Sequence, residues 1–123
     1  IAHMPYLEKP KQISSGGVME IDGATRRNLE LVRTLSGERK GSVLDTIDRT
    51  ITGAGARLLQ TYLSSPLCNI YDIESRQKRI TRFIENSLLR QDFRNLLRSM
   101  PDMERSIARL SVGRGSPRDL AAL

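Results

Sequence analysis

This 123-residue sequence is poor in the side chains from which small catalytic and metal sites are usually built. It contains one cysteine (Cys68), one histidine (His3) and no tryptophan, and aromatic residues make up only 4%. A lone cysteine cannot form an internal disulfide, and with one histidine it supplies too few ligands for a tetrahedral zinc site. We expect Cys68 to be a small buried apolar side chain rather than a reactive thiol, and we assign His3 no role.

Long hydrophobic runs and nucleotide-binding loops are missing as well. No apolar stretch approaches the roughly 20 residues that cross a bilayer, and no signal peptide is recognisable, which favours a cytoplasmic protein. The stretch GRGS at residues 113–116 lacks the lysine and the preceding strand of a phosphate-binding loop. Because no histidine lies near a nucleophile either, we expect no catalytic, cofactor-binding or metal-binding residue in this chain.

Basic residues are in excess, and most of that excess lies in the C-terminal half. The net charge is +6, of which residues 70–123 contribute +4, and such a balance favours an acidic partner. Arg90, Arg94 and Arg98 recur every fourth residue of one predicted helix, where like charges repel one another. Contact with the DNA backbone could neutralise this row, as could acidic residues from elsewhere in a larger protein, and a solvated helix face is the favoured alternative.

Apolar side chains at helical spacing predict an all-α fold, a bundle of about six helices truncated at both ends. The first helix should run from an N-cap at Asp22 to Gly37. Leu59 and Leu96 should lie in a core of aliphatic residues, whereas residues 1–18 have the proline, serine and glycine content of a linker. Further helix starts are predicted at Ser42, Thr52, Asn69, Ser87, Asp102 and, with proline following, Ser116.

Polar residues cluster at the start of the first predicted helix. In MEIDGATRRNLEL, residues 19–31, the pair Arg26 and Arg27 is followed by Asn28 and Glu30. This group could be a solvated helix end, a phosphate grip or a polar joint to another domain.

A second charged group lies in DMERSIARL, residues 102–110. Asp102, Glu104, Arg105 and Arg109 have spacings that place a charged ladder on one face of a helix. On a surface each pair would contribute less than about 1 kcal/mol, but at a domain joint the ladder could fix an angle between elements.

The order and spacing of several segments resemble the central α-helical core domain of the MutS family of bacterial DNA mismatch-recognition ATPases. These segments are MEIDGATRRNLEL, GSVLDTIDRTITGAGARLLQTYLSSPL, DMERSIARL and GRGSPRDLAAL. The resemblance implies that residues 19–123 are an incomplete core, or lever, domain and that residues 1–18 are the linker from a preceding connector domain. One departure is Gly53-Ala54, where the family usually has a proline and a larger residue.

In that family the core domain joins the mismatch-binding and connector domains to the lever helices, the DNA clamp and the ATPase domain. The resemblance therefore implies a mechanical coupler within a homodimeric parent that uses ATP and Mg²⁺ and binds mismatched double-stranded DNA. The mismatch-reading residues and the nucleotide loop belong to other domains, so this segment alone should not be an enzyme. A domain joint then becomes the favoured role for Arg26 and Arg27. An independent basic helical DNA-binding module is the alternative function.

Overall fold

A computed structural model of the chain describes residues 17–123. The predicted linker therefore lies almost entirely outside the described residues, as does His3. The described residues contain seven helices and no strand, which confirms the predicted all-α fold, and one isolated bridge pairs Val18 with Leu67. The helices are α1 (Gly23–Asn28), α2 (Val43–Ile47), α3 (Gly53–Ser64), α4 (Ile70–Glu85), α5 (Ser87–Ser99), α6 (Met103–Ser111) and α7 (Pro117–Leu120).

Side chains that accept backbone hydrogen bonds begin these helices, mostly where the sequence predicts them. Asp22 Oδ1 accepts from two N–H groups of the first turn of α1, at 2.9 Å each. The exception is α5, where Asn86 rather than Ser87 is the N-cap, because its side-chain carbonyl accepts from Leu89 N at 3.0 Å. The remaining helices are capped by Ser42, Thr52, Asn69, Asp102 and Ser116.

The first helix is shorter than predicted. It ends at Asn28, and Glu30 has a left-handed backbone with a φ of 48°, which does not continue a right-handed helix. The chain then pairs with the start of α2, where the carbonyls of Glu30 and Leu31 accept from Val43 N and Leu44 N at 3.1 and 2.9 Å. The segment up to Gly37 is therefore a folded loop and not a helical extension.

The described residues up to Met100 form one compact unit, and Pro101–Leu123 form another. In the first unit α2 contacts α3, and α4 contacts α5. The rings of Phe83 and Phe93 meet edge to face with centroids 5.4 Å apart. The guanidinium of Arg76 lies 3.6 Å from the ring centre of Tyr62, a cation–π contact that joins α3 and α4. In the second unit α6 contacts α7.

Little apolar surface is buried within the described chain. Leu44, at 1% exposure, is its only buried hydrophobic residue. Leu59 is half-buried, whereas Leu96 is 63% exposed and Cys68 is also exposed. The prediction that Leu96 and Cys68 are buried is therefore wrong for this chain on its own. The reason is that two neighbouring helices cover only part of each other's apolar faces, and a core needs a further layer.

Candidate functional site

A polar cluster joins α6 to α7 and consists of the buried Ser106 and Asp119 and the exposed Arg109 and Ser116. Ser106 and Asp119 are 3% and 7% exposed. Ser116 caps α7 and Pro117 opens its first turn, while the Asp119 side chain returns to the cap backbone and completes a capping box. Ser106 and Arg109 are three residues apart and share one face of α6. The capping of α7 and the periodicity of α6 therefore bring the other three side chains within hydrogen-bonding distance of the Asp119 carboxylate.

The ion pair between Arg109 and Asp119 lies at the centre of the polar cluster. Arg109 Nε donates to Asp119 Oδ1 at 2.8 Å, and Arg109 Nη2 contacts the same oxygen. Ser106 Oγ lies 3.3 Å from Arg109 Nη2 and 3.4 Å from Asp119 Oδ1. The other carboxylate oxygen, Oδ2, accepts from Ser116 N at 2.9 Å and from Ser116 Oγ at 2.8 Å. One oxygen of this carboxylate thus ties the end of α6 to α7, while the other closes the N-terminal cap of α7 itself.

The polar cluster stays charged at neutral pH. Hydrogen bonds from the Arg109 guanidinium, and then from the backbone and hydroxyl of Ser116, hold the pKa of Asp119 far below its usual range. The same bond to Asp119 raises the pKa of Arg109. A general acid or base needs a pKa near the working pH. The pKa of Asp119 is lowered and that of Arg109 is raised, so both lie further from neutral pH than usual. The cluster is therefore suited to holding two helices together and not to proton transfer.

Gly115 lets the chain turn tightly between α6 and α7. A Cβ placed on Gly115 would lie 2.7 Å from Leu110 Cγ and 3.0 Å from Leu110 Cα, closer than side-chain carbons pack. The stretch GRGS is thus a close helix-to-helix connection in which the glycine leaves room for Leu110.

Of the four predicted joint residues in DMERSIARL, Arg109 belongs to the polar cluster, and Asp102 and Arg105 lie beside it. Asp102 caps α6 by accepting from Arg105 N at 3.3 Å, and its Oδ2 lies 3.7 Å from Arg105 Nε. Both residues line a cavity of about 300 Å³ together with Arg109 and Asp119. Glu104 is exposed in the first turn of α6 and does not line this cavity.

Arg26 and Arg27 line a second cavity, of about 360 Å³, together with Arg33. We call it the arginine cavity. Its walls come from α1 and from the loop that follows, and neither Asn28 nor Glu30 lines it. Asn28 is the last residue of α1, and the carboxylate of Glu30 is used within the loop, where its Oε1 accepts from Leu35 N at 2.5 Å.

The arginine row on α5 is partly engaged in holding the fold. Arg90 Nη1 donates to the carbonyl of Phe83 at 2.6 Å, in the last turn of α4, where a cation suits the helix dipole. Arg94 Nη1 donates to the carbonyl of Arg49 at 3.0 Å, in the loop before α3, and Arg98 Nη1 donates to Asn95 Oδ1 at 2.6 Å. Because each guanidinium has five N–H groups, donors remain for a phosphate, and DNA contact by this row stays a hypothesis.

Sequence reasoning missed two residues of the polar cluster and one of the arginine cavity. Asp119 and Ser106 are the polar residues that pair with Arg109, and Arg33 is the third arginine beside Arg26 and Arg27. The serine and aspartate of SPRD, three positions apart, are a capping-box signal that could have identified Asp119. Arg33 follows Arg26 by seven residues, a spacing that places both on one face of the predicted helix and could have identified Arg33.

Within residues 17–123, no group of three or more His, Cys, Asp or Glu side chains is positioned to hold a metal ion. Over the same residues, none of the helices has both the length and the apolar character that crossing a membrane requires.

Comparison with known proteins gives one consistent result. The model of the family described as MutS domain III matches residues 24–123. The chain is similar to DNA mismatch repair protein MutS of Nitrobacter hamburgensis (54% identical over 123 residues), of Bradyrhizobium sp. strain ORS 278 (52% over 123) and of Ruegeria pomeroyi (51% over 120). These alignments cover 98% to 100% of this chain but only 13% to 14% of each relative. The chain thus spans about one seventh of the length of these relatives.

Proposed function

This chain belongs to the MutS family, and on that basis we propose that it is part of the structural core of a DNA mismatch-repair protein. In this role it couples the binding of mismatched double-stranded DNA in one part of the parent protein to ATP hydrolysis in another. The segment has no turnover of its own. ATP and Mg²⁺ bind to other segments of the parent, and the contacts that pair the parent into a homodimer also lie there.

The observation that supports the proposal most strongly is the uncovered apolar surface of well-formed helices. Soluble proteins that act alone rarely expose large apolar patches, and such surfaces usually mark contacts with further protein. Leu44 is the only buried hydrophobic residue among those described. On α4 and α5 several large apolar side chains are more than half exposed: Ile70, Tyr71, Ile80, Ile84, Leu88 and Leu96. Helices whose apolar faces pack against other segments of the parent can transmit a displacement of one of those segments to another.

The polar cluster supplies the rigid element that coupling requires. Coupling energy between distant sites is carried by packed elements with defined arrangements. Arg109 fixes α7 against α6 through Oδ1 of Asp119, so a displacement of one helix should be passed to the other. This supports a positioning role for Asp102, Arg105 and Arg109 at a domain joint.

The test is the effect of nucleotide on mismatch affinity in the full-length parent. Asp119→Asn removes the charge that holds Arg109 while keeping the size of the side chain. Asp92→Asn is the matched control, because it makes the same change at an exposed aspartate on α5, outside the polar cluster. In Asp119→Asn, ATP and mismatched DNA should each still bind, but the nucleotide-induced change in mismatch affinity should be smaller than in the unmodified parent. Coupling energies are typically about 1–3 kcal/mol, which corresponds to a change in affinity of about 5- to 150-fold. An undiminished change, or an equal loss of DNA affinity with and without nucleotide, would contradict the coupling role.

An independent DNA-binding module is the second candidate, favoured by the +4 charge of residues 70–123. If the segment only couples, the 123-residue chain should bind duplex DNA weakly, in the non-specific range of about 10⁻⁴ to 10⁻⁶ M, with an affinity that falls steeply as salt rises. Nanomolar binding that tolerates salt would favour the module instead.

A further inference from the structure

We propose that the arginine cavity binds the carboxylate of an acidic residue that lies beside an apolar residue in another segment of the parent polypeptide. The proposal rests on the proposed function, because it assigns a partner to the joint at Arg26 and Arg27. The proposal specifies the chemical group of that partner. It also adds a third arginine, Arg33, and an apolar contact to the joint.

The cavity gathers three positive charges whose hydrogen-bonding capacity is largely unused. Among the described residues Arg27 has no hydrogen bond or ion pair. Arg26 makes one long contact, with Nη2 3.5 Å from the carbonyl of Ile21, and Arg33 uses Nη1 to donate to the carbonyl of Gly37 at 2.8 Å. Each guanidinium offers five N–H donors, so most of the donors around this cavity are free for an incoming acceptor.

The two carboxylates that flank the arginine pair in the sequence are committed elsewhere. Asp22 caps α1 and accepts from the Thr25 hydroxyl at 2.5 Å, and this bond lowers the pKa of Asp22. Glu30 accepts from Leu35 N. Neither Asp22 nor Glu30 lines the cavity. None of the three arginines that line the cavity has an ion pair with a carboxylate of the described residues, and a carboxylate from elsewhere would stabilise them.

The walls of the cavity are held in place before any partner arrives. The loop that carries Arg33 closes on itself, since Gly37 N donates to the carbonyl of Thr34 at 2.9 Å and Thr34 N donates to that of Glu38 at 2.8 Å. Gly37 has a φ of 87°, which glycine adopts without strain. A preformed site loses less conformational freedom on binding than a flexible one.

The lining favours a protein carboxylate over a DNA phosphate. Val32 and Leu35 share the cavity with the arginines, and Leu35 is 67% exposed. The planar fork of an arginine matches a carboxylate through two parallel hydrogen bonds, and an apolar neighbour of that acid can cover Leu35. Phosphate contacts in protein–DNA complexes come from polar donors, so they would leave these apolar side chains exposed. Relatives about seven times longer than this chain have ample further segments to supply the acid.

Zero-length crosslinking in the full-length parent tests the proposal. Arg27→Lys keeps the positive charge and introduces an amine, which forms an amide with a carboxylate that a water-soluble carbodiimide has activated. The expected product, identified by peptide mass spectrometry, joins position 27 to an aspartate or glutamate outside residues 1–123 with an apolar residue beside it. Arg82→Lys is the matched control, since Arg82 is exposed on α4 and does not line the cavity. Crosslinks to acids within residues 1–123 only, or no more crosslinking than in the control, would overturn the proposal.

A second measurement on the unmodified parent separates the two possible sources of negative charge. An arginine-specific dicarbonyl reagent should label Arg26 and Arg33 poorly in the absence of DNA if a carboxylate already occupies the cavity, and added duplex DNA should change this little. Protection that develops only with DNA, together with loss of the crosslink, would assign the cavity to phosphate and overturn the proposal. Neither measurement involves nucleotide, so a failure here is distinct from a failure of the coupling experiment with Asp119→Asn.

Discussion

Leu44 and Leu96 distinguish a self-contained domain from a segment that is completed by other parts of a parent protein. The sequence predicts that Leu96 lies in the core and that Leu44 belongs to the short helix after Ser42, whereas in the structure Leu44 is 1% exposed and Leu96 is 63% exposed. We therefore consider each leucine-to-alanine substitution in two settings, the 123-residue chain and the full-length parent. If other segments cover the apolar face of α5, the cost of Leu96→Ala should depend on the setting, whereas that of Leu44→Ala should not.

The expected magnitudes follow from these exposures. Full burial of a leucine side chain is worth about 1.5–3 kcal/mol, and with the cavity left behind a buried Leu→Ala change costs about 2–5 kcal/mol. Leu44→Ala should cost this much in both settings. Leu96 retains only about a third of its burial, so its replacement in the 123-residue chain should cost roughly 0.5–1 kcal/mol. In the parent, the cost at Leu96 should rise to about 2–5 kcal/mol.

Urea denaturation followed by far-ultraviolet circular dichroism measures the cost in the 123-residue chain, and the midpoint gives the change in stability when the slope is unaltered. In the parent, amide hydrogen exchange of peptides from α2 and α5 reports local opening. A cost at Leu96 that is equally small in both settings would refute the idea that this face is covered. A large cost in the isolated chain would show that the described packing of α5 is incomplete.

Three further predictions concern the polar sites and the turn between α6 and α7. Replacing Arg26 and Arg27 together with alanine should change the stability of the 123-residue chain by no more than about 0.5 kcal/mol but should reduce the nucleotide-induced change in mismatch affinity in the parent; an undiminished change would return the pair to a solvated or phosphate-binding role. Because the folded-state pKa of Asp119 is lowered, its charge stabilises the fold above the unfolded pKa of about 3.9 and this contribution is lost as pH falls below it. In urea titrations the stability difference between the unmodified chain and Asp119→Asn should therefore be constant near neutral pH and shrink under acid; a difference that grows under acid would contradict the assigned sign. Gly115→Ala should destabilise the chain by about 1–3 kcal/mol because the new methyl group overlaps Leu110, and an unchanged denaturation midpoint would show that the turn relaxes.

Helix starts were the most predictable part of this fold, because their signals are local. A capping side chain and the N–H groups that it satisfies are separated by two or three residues, so the whole interaction is visible in a short stretch of sequence. Asp22, Thr52 and Ser116 all cap the helices that the sequence assigns to them. At α5 two adjacent residues could serve, and asparagine displaces serine by one position, an error within the usual uncertainty of helix boundaries.

The end of α1 could not be predicted, because a longer-range contact decides it. Residues up to Leu35 have the apolar spacing of a helix, and only Gly37 indicates an end. The structure ends the helix earlier since Glu30 adopts a left-handed backbone and offers its carbonyl to Val43 N. That bond joins residues 13 positions apart, beyond the reach of periodicity. The loop that follows this turn carries Arg33, which lines the arginine cavity together with Arg26.

The two groups of arginines show why charge spacing alone does not identify a binding surface. On α5, Arg90 and Arg94 lie at a spacing that suggests a phosphate-binding row, yet Arg90 donates to a backbone carbonyl of α4 and Arg94 to one in the loop before α3. Arg26 and Arg27 are adjacent in sequence and look like an ordinary helix end, yet they share a cavity in which no acid is present. What separates the groups is the acceptor within reach of each guanidinium, and that is set by chain folding. An arginine whose acceptors are supplied by its own fold contributes to stability first, whereas Arg27, which has no acceptor among the described residues, is the better candidate for contact with the rest of the parent protein.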